Sequence, residues 1–251
     1  MGFNQSQSNA PVFNVRYSSF LGMLYLSNKD TEATITEVKN QIGEADVKKG
    51  YQGYKGDTPS ARALKMLEQK GIRGGDLSGT LTSAWIVERE ISGGKKAPYL
   101  NLGFKCDDGK YFLSVAADHS GAQLVIRKLV NASPDVFTEL KMFGTFKAKP
   151  GATQAYGEHG ASLRQAEAEV PGIDPAAELK ARVETAINAL KSAGVDDKEI
   201  LSKQRDRVTL DFHLELMQGI QQKFKDFYDA RQQQQPDVEV PAEQAATSAA
   251  E

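Results

Sequence analysis

PYLNLGFKCDDGKYFLSVAADHSGAQLVIRKL, residues 98–129, decides the fold. Apolar residues alternate through Leu100, Leu102, Phe104 and Cys106, which puts Tyr99, Asn101 and Lys105 on the opposite face of a strand. Asp107-Asp108-Gly109 then separates that strand from a second apolar run, residues 110–116, and an Asp-Gly pair there signals a tight hairpin. After Asp118, read as a helix cap, Leu124, Ile126 and Leu129 line one side of a helix that ends before Asn131. A hairpin followed by a helix, rather than a strand–helix–strand alternation, predicts an antiparallel sheet.

The flanking sequence extends the pattern. Upstream, residues 79–91 read as a strand joined to the first through Gly93-Gly94. Downstream, residues 136–147 alternate Leu140, Met142 and Phe146 against Lys141, Phe143 and Lys147. Residues 12–26 predict one or two short strands. Asp30 is read as the cap of a helix carrying Ile35, Val38 and Ile42, and Gly43 stops it. Residues 46–57 form a Gly-punctuated basic and aromatic loop, and Thr58-Pro59 opens a helix ending at Gly71. Residues 148–172, rich in Gly, Ala and Pro, read as a linker or extended loop. Two helices follow, over about residues 175–193 and from Asp196 or Ser202 to Ala230, the second striped by Val208, Phe212, Leu216, Ile220, Phe224 and Phe227.

The predicted class is therefore α+β: an antiparallel core with flanking helices and a helical C-terminal extension, with an OB-like barrel as the alternative. The predicted boundaries are a disordered segment 1–11, a core over 12–150, a linker or extended loop over 151–173, helices over 174–231 and an acidic low-complexity tail over 232–251.

Composition narrows the function. Hydrophobic residues make up 40% of the chain, enough for a core, and the mean hydropathy of −0.46 suits water. No apolar run reaches the ~18 residues that span a bilayer, and the first residues lack the blocks of a secretion signal. Cys106 is the single cysteine, which excludes an internal disulfide and a multi-cysteine zinc site. Those features predict a cytoplasmic protein without a membrane partner.

Catalytic material is poor. His119 falls at a helix start, His213 inside the last helix and His159 in the Gly-rich stretch, without the two-histidine spacing of a zinc helix. Neither Gly71 to Gly75 nor Gly93-Gly94-Lys95-Lys96 matches a phosphate loop. The expectation is a protein that is not an enzyme and needs no cofactor or metal.

Charge is divided unevenly. Residues 1–150 hold 20 Lys and Arg against 15 Asp and Glu, a net of +5, whereas residues 151–251 hold 11 against 18, a net of −7. Aromatic residues interleave with cations in the basic part: Arg16 and Tyr17; Lys48, Lys49, Tyr51, Tyr54 and Lys55; Lys95, Lys96 and Tyr99; Lys105; Lys141, Phe143 and Lys147. Lysine and arginine follow phosphates, and aromatic faces stack on unpaired bases, so these residues are the candidate contacts to single-stranded nucleic acid. Tyr51, Tyr54, Tyr99 and Phe143 are the expected stacking partners.

The stretch 98–129, with the basic N-terminal half and the acidic tail, resembles phage single-stranded-DNA-binding proteins of the kind podophages use as cofactors of their own RNA polymerase. The resemblance covers residues 12–150 and rests on texture. It implies sequence-tolerant binding of unpaired DNA in phage transcription or replication, within the host cytoplasm. The implied partners are a phage RNA polymerase or replication proteins. From a different class, the C-terminal helices suggest a protein-interaction or assembly factor, and oligomerisation is left open.

Overall fold

The computed structural model describes residues 10–91, 93–148 and 155–233. Its centre is an eight-stranded sheet in the order β2-β1-β5-β4-β3-β6-β7-β8. The strands are β1 (Val12–Ser18), β2 (Met23–Ser27), β3 (Leu77–Ile91), β4 (Lys95–Cys106), β5 (Gly109–Ala116), β6 (Val136–Ala148), β7 (Ala155–Gln165) and β8 (Ala168–Glu169). The helices are α1 (Lys29–Ile42), α2 (Glu44–Lys48), α3 (Pro59–Gln69), α4 (Ser120–Leu129), α5 (Ala176–Ser192) and α6 (Lys198–Gln233).

The β3-β4-β5 meander is the one expected from alternation, with Leu102 opposite Leu113 and Cys106 opposite Gly109 at the turn. Gly109 takes φ +158 and its Cα faces the Pro11 carbonyl too closely for a side chain. Every pairing is antiparallel except β1 with β5, which run parallel from Val12↔Lys110 to Arg16↔Ser114. Parallel neighbours need a long connection, and here it comprises α1 to α3 and three strands.

One face of the sheet carries Val15, Leu81, Leu100, Leu102, Phe104, Leu113 and Leu140, buried against Val125, Ile126 and Leu129 of α4 and Met217, Ile220 and Phe224 of α6. A second cluster joins Phe20, Leu21 and Tyr25 to Ile35 and Val38 of α1 and Ala63 and Leu67 of α3. Of the stripe predicted for the last helix, Ile220 and Phe224 are buried in the sheet's core, Leu216 packs partly on it, Phe212 is covered by Arg182 of α5, and Phe227 stays exposed.

Polar contacts seat α6 on α4. The Lys223 ammonium donates to the carbonyls of Leu129 at 3.0 Å, Val130 at 2.8 Å and Ala132 at 2.6 Å, satisfying the end of α4. Arg127 Nε donates to Nε2 of the buried His213 at 3.0 Å, and its Nδ1–H donates to the Thr209 carbonyl at 2.6 Å. Replacing Lys223 with Met keeps the apolar stem and orphans three carbonyls, so it should lower unfolding stability by about 2–3 kcal/mol. A urea midpoint equal to that of the parent chain would show that water replaces the ammonium.

Five expectations need correction. Asn28, not Asp30, caps α1, because its side chain accepts from Thr31 N–H at 2.8 Å. His119, not Asp118, caps α4 through Gly121 N–H. The basic loop begins with a helical turn, α2, before it opens. Residues 155–165 are not a linker: they form β7, whose Leu163 is buried opposite Leu140. The glycine and alanine content that looked linker-like is what allows large side chains of other elements to lie on this strand.

The OB-like alternative also fails, because the sheet stays open with β2 and β8 at its edges. It curls until its two sides touch. Gly144 N–H donates to the Gly22 carbonyl at 3.1 Å, and Tyr17 Oη meets His159 Nδ1 at 2.8 Å. The Tyr51 ring packs against both Gly22 and Gly144 at this contact. The expected disorder of residues 1–9 and of the tail beyond Gln233 lies outside the described residues.

Candidate nucleic-acid interface

The segment between α2 and α3 is held from beneath. Buried Ser60 accepts from Gln52 N–H at 3.0 Å and donates to the Phe20 carbonyl at 2.9 Å. Thr58, the cap of α3, also donates to the Gly53 carbonyl at 2.9 Å. These bonds fix the backbone of residues 50–58 although three of them are Gly, a type common in mobile loops. Tyr51 turns inward and is only 4% exposed. A Cβ on Gly22 would sit 2.8 Å from its ring, one on Gly144 would sit 2.5 Å away, and one on Gly157 would strike the Tyr51 carbonyl. The β1–β2 turn and strands β6 and β7 therefore carry glycine where this tyrosine rests. Burial pushes its phenol above the ordinary tyrosine range, with Tyr54 adding to the shift.

Above Tyr51 lies an open groove of about 810 Å³, bounded by residues 51–55 and by residues 143–147 of β6. Tyr54 is 65% exposed, Phe143 43% and Phe146 42%, and all three line it. Lys55 lies 5.5 Å from the Tyr54 ring centroid and Lys147 closes the far wall. Neither lysine has an ion-pair partner among the described residues, so both charges face solvent uncompensated. This part of β6 runs past its pairing with β3, which ends at Leu140. Its side chains consequently have no sheet core to enter.

The groove unites Tyr51, Tyr54, Lys55, Phe143 and Lys147 of the sequence-derived set, with Tyr51 as its floor rather than a free stacking face. The other candidates lie elsewhere. Lys48 is paired with Glu44 at 2.7 Å and Lys49 with Asp46 at 2.7 Å, which neutralises that end of the loop. Lys141 is paired with Asp76 at 2.6 Å. Lys95 and Lys96 are exposed at the start of β4, beside the β3–β4 turn. Tyr99 and Lys105 share a face but are six residues apart on β4, about 20 Å along an extended strand. Arg89 covers Tyr99, its guanidinium 5.1 Å from the ring centroid. Arg16 is paired with Glu32 at 3.2 Å, and Tyr17 is held by His159. The expected contacts therefore do not share one surface: five of them meet in the groove and the others lie apart from it.

Sequence reasoning missed Phe146 as a groove residue, because alternation assigned it to the core face, and missed the glycines under Tyr51. The signal for Phe146 was its position: a strand that outlasts its neighbour exposes both faces. Among the described residues, no group of three or more His, Cys, Asp or Glu could hold a metal ion, and no helix is long and apolar enough to cross a membrane. No family model, curated protein or solved structure matches the chain.

Proposed function

We propose that the chain binds unpaired DNA with little regard to sequence, through the groove between residues 51–55 and β6. One observation carries this reading: three half-open aromatic rings and two uncompensated lysines converge on one fixed surface. Rings can stack on any base, and lysines can follow the phosphates between them. Duplex DNA offers the phosphates but not the base faces, since its bases already stack on one another. The finer role is in phage transcription, as a cofactor of the phage RNA polymerase, or in replication, within the host cytoplasm. That part is supported by the resemblance of residues 98–129. The assembly-factor alternative loses weight because Met217, Ile220 and Phe224 of α6 are already buried in the sheet's core, and Phe212 is covered by Arg182 of α5.

Fluorescence anisotropy with oligothymidylate and a duplex of equal length, across a salt series, tests the proposal. Single strands should bind more tightly, with a log–log salt slope near −0.7 for each phosphate neutralised, or about −1.4 to −3 for two to four contacts. Equal binding of both, or a flat salt response, would remove nucleic acid from the account.

A further inference from the structure

A second cleft, of about 480 Å³, lies between α1 and the ends of β1, β3, β4 and β5. Its chemistry differs from that of the groove. Arg16, Lys39, Arg89, Ser114 and His119 line it. Of its two carboxylates, Glu32 is already engaged by Ser27 Oγ at 2.6 Å, Tyr25 Oη at 3.2 Å and Arg16 at 3.2 Å. Glu90 is exposed on the β3 side. Lys39 and Arg89 have no ion-pair partner among the described residues. Burial lowers the Lys39 ammonium from its ordinary range, as expected of a charge stripped of water without a counter-ion, although Glu32 offsets part of the shift.

Arg89 is pre-oriented for binding. It stacks on Tyr99 and donates to Asn101 Oδ1 at 3.0 Å, and buried Asn101 is anchored to the Tyr99 carbonyl at 2.9 Å. His119 accepts from Gly121 N–H through Nδ1 at 3.1 Å, so the neutral ring carries its proton on Nε2. That ring stays neutral, since burial and then His159 push its pKa down to about 4. His119 Nε2 and Ser114 Oγ are shielded from solvent and have no partner. Two unpaired cations, an N–H and a hydroxyl therefore line one cleft, in which Glu90 is the carboxylate not already engaged.

We infer that this cleft takes a phosphate monoester, carried by a free nucleotide or by the end of a strand. Several donors around one space match a group with three charged oxygens, and the volume leaves room for an attached nucleoside. The inference does not rest on strand binding by the groove.

Calorimetric titration of the full chain with dTMP, and with thymidine as the phosphate-free control, tests it. Heat from dTMP alone is the expected result. The Lys39→Met, Arg89→Gln double variant should weaken dTMP about tenfold or more, the equivalent of one lost charge-assisted contact. Oligothymidylate with a 5′-phosphate or a 5′-hydroxyl then separates the two sources. A preference for the phosphorylated end assigns the site to strands, whereas equal affinity alongside dTMP binding assigns it to free nucleotide. No dTMP heat from the parent chain together with no end preference overturns the inference, whatever the variant's stability. A variant lacking Tyr54, Phe143 and Phe146 should keep its dTMP heat, so failure of the groove and failure of the cleft give different results.

Discussion

Replacing Tyr54, Phe143 and Phe146 together with alanine should lower affinity for oligothymidylate about a thousandfold. Stacking is worth about 1–3 kcal/mol per base by alanine substitution, so three rings near the lower half of that range reach about 4 kcal/mol. The rings are 42% to 65% exposed, and their removal should leave the melting temperature and far-ultraviolet dichroism close to those of the parent. Binding unchanged within a few-fold in a folded triple variant would discard the groove. Lys55 and Lys147 supply the complementary control: exchanging both for Gln should flatten the salt slope while the rings still hold bases.

Acid should begin to destabilise the chain through its histidines before its carboxylates titrate. His119, His159 and His213 all sit below the ordinary histidine range, each chiefly because burial penalises the charged ring. A native pKa below the unfolded value of about 6.5 means that the unfolded chain takes up the proton first. The stabilisation is complete above about pH 6.5 and is lost as pH falls from there towards the native values, about 4 for His119. His119 alone should contribute about 2–3 kcal/mol of this loss after discounting for the partial exposure of its ring. Urea unfolding at about pH 7 and about pH 4.5 measures it. The His119→Asn variant keeps a good helix cap without a titrating ring, so its stability should vary less over the same interval. If the variant shows the same pH dependence as the parent, the destabilisation comes from other groups.

Much of the sheet could be read in the sequence because its strands obey simple alternation. Leu100, Leu102 and Phe104 are buried where period two places them, and Asp107-Asp108-Gly109 turns the chain where expected. The last helix was legible for the same reason at helical spacing. β7 was not, because its partners removed its side chains: Gly157 yields to the Tyr51 carbonyl and Gly160 to the Phe143 ring. A strand selected to be smooth carries no hydrophobic period. The site was half legible. Basic and aromatic residues on residues 48–55 and on β6 were identified, but their meeting depends on the curl of the sheet, which brings Gly22 to Gly144. Which lysines remain free depends on local carboxylates such as Glu44, Asp46 and Asp76, and those pairings are set by tertiary placement. The second cleft was invisible, since Lys39, Arg89, Ser114 and His119 come from four separate elements.

The parallel seat of β1 also sets the order in which the chain can be completed during synthesis. Val12 finds its partner only at Lys110, about a hundred residues later. At ribosomal rates of about 5–20 residues per second, the β1–β2 hairpin waits roughly 5–20 s with Val15 and Leu24 uncovered. Local hairpins such as β4–β5 can close in microseconds, so the slow step in the cell is translation and in refolding is the search for this distant pairing. A nascent chain stalled before β5 exposes an adhesive ribbon at its N-terminus, and that species is the natural client for a holdase and the natural seed of aggregation.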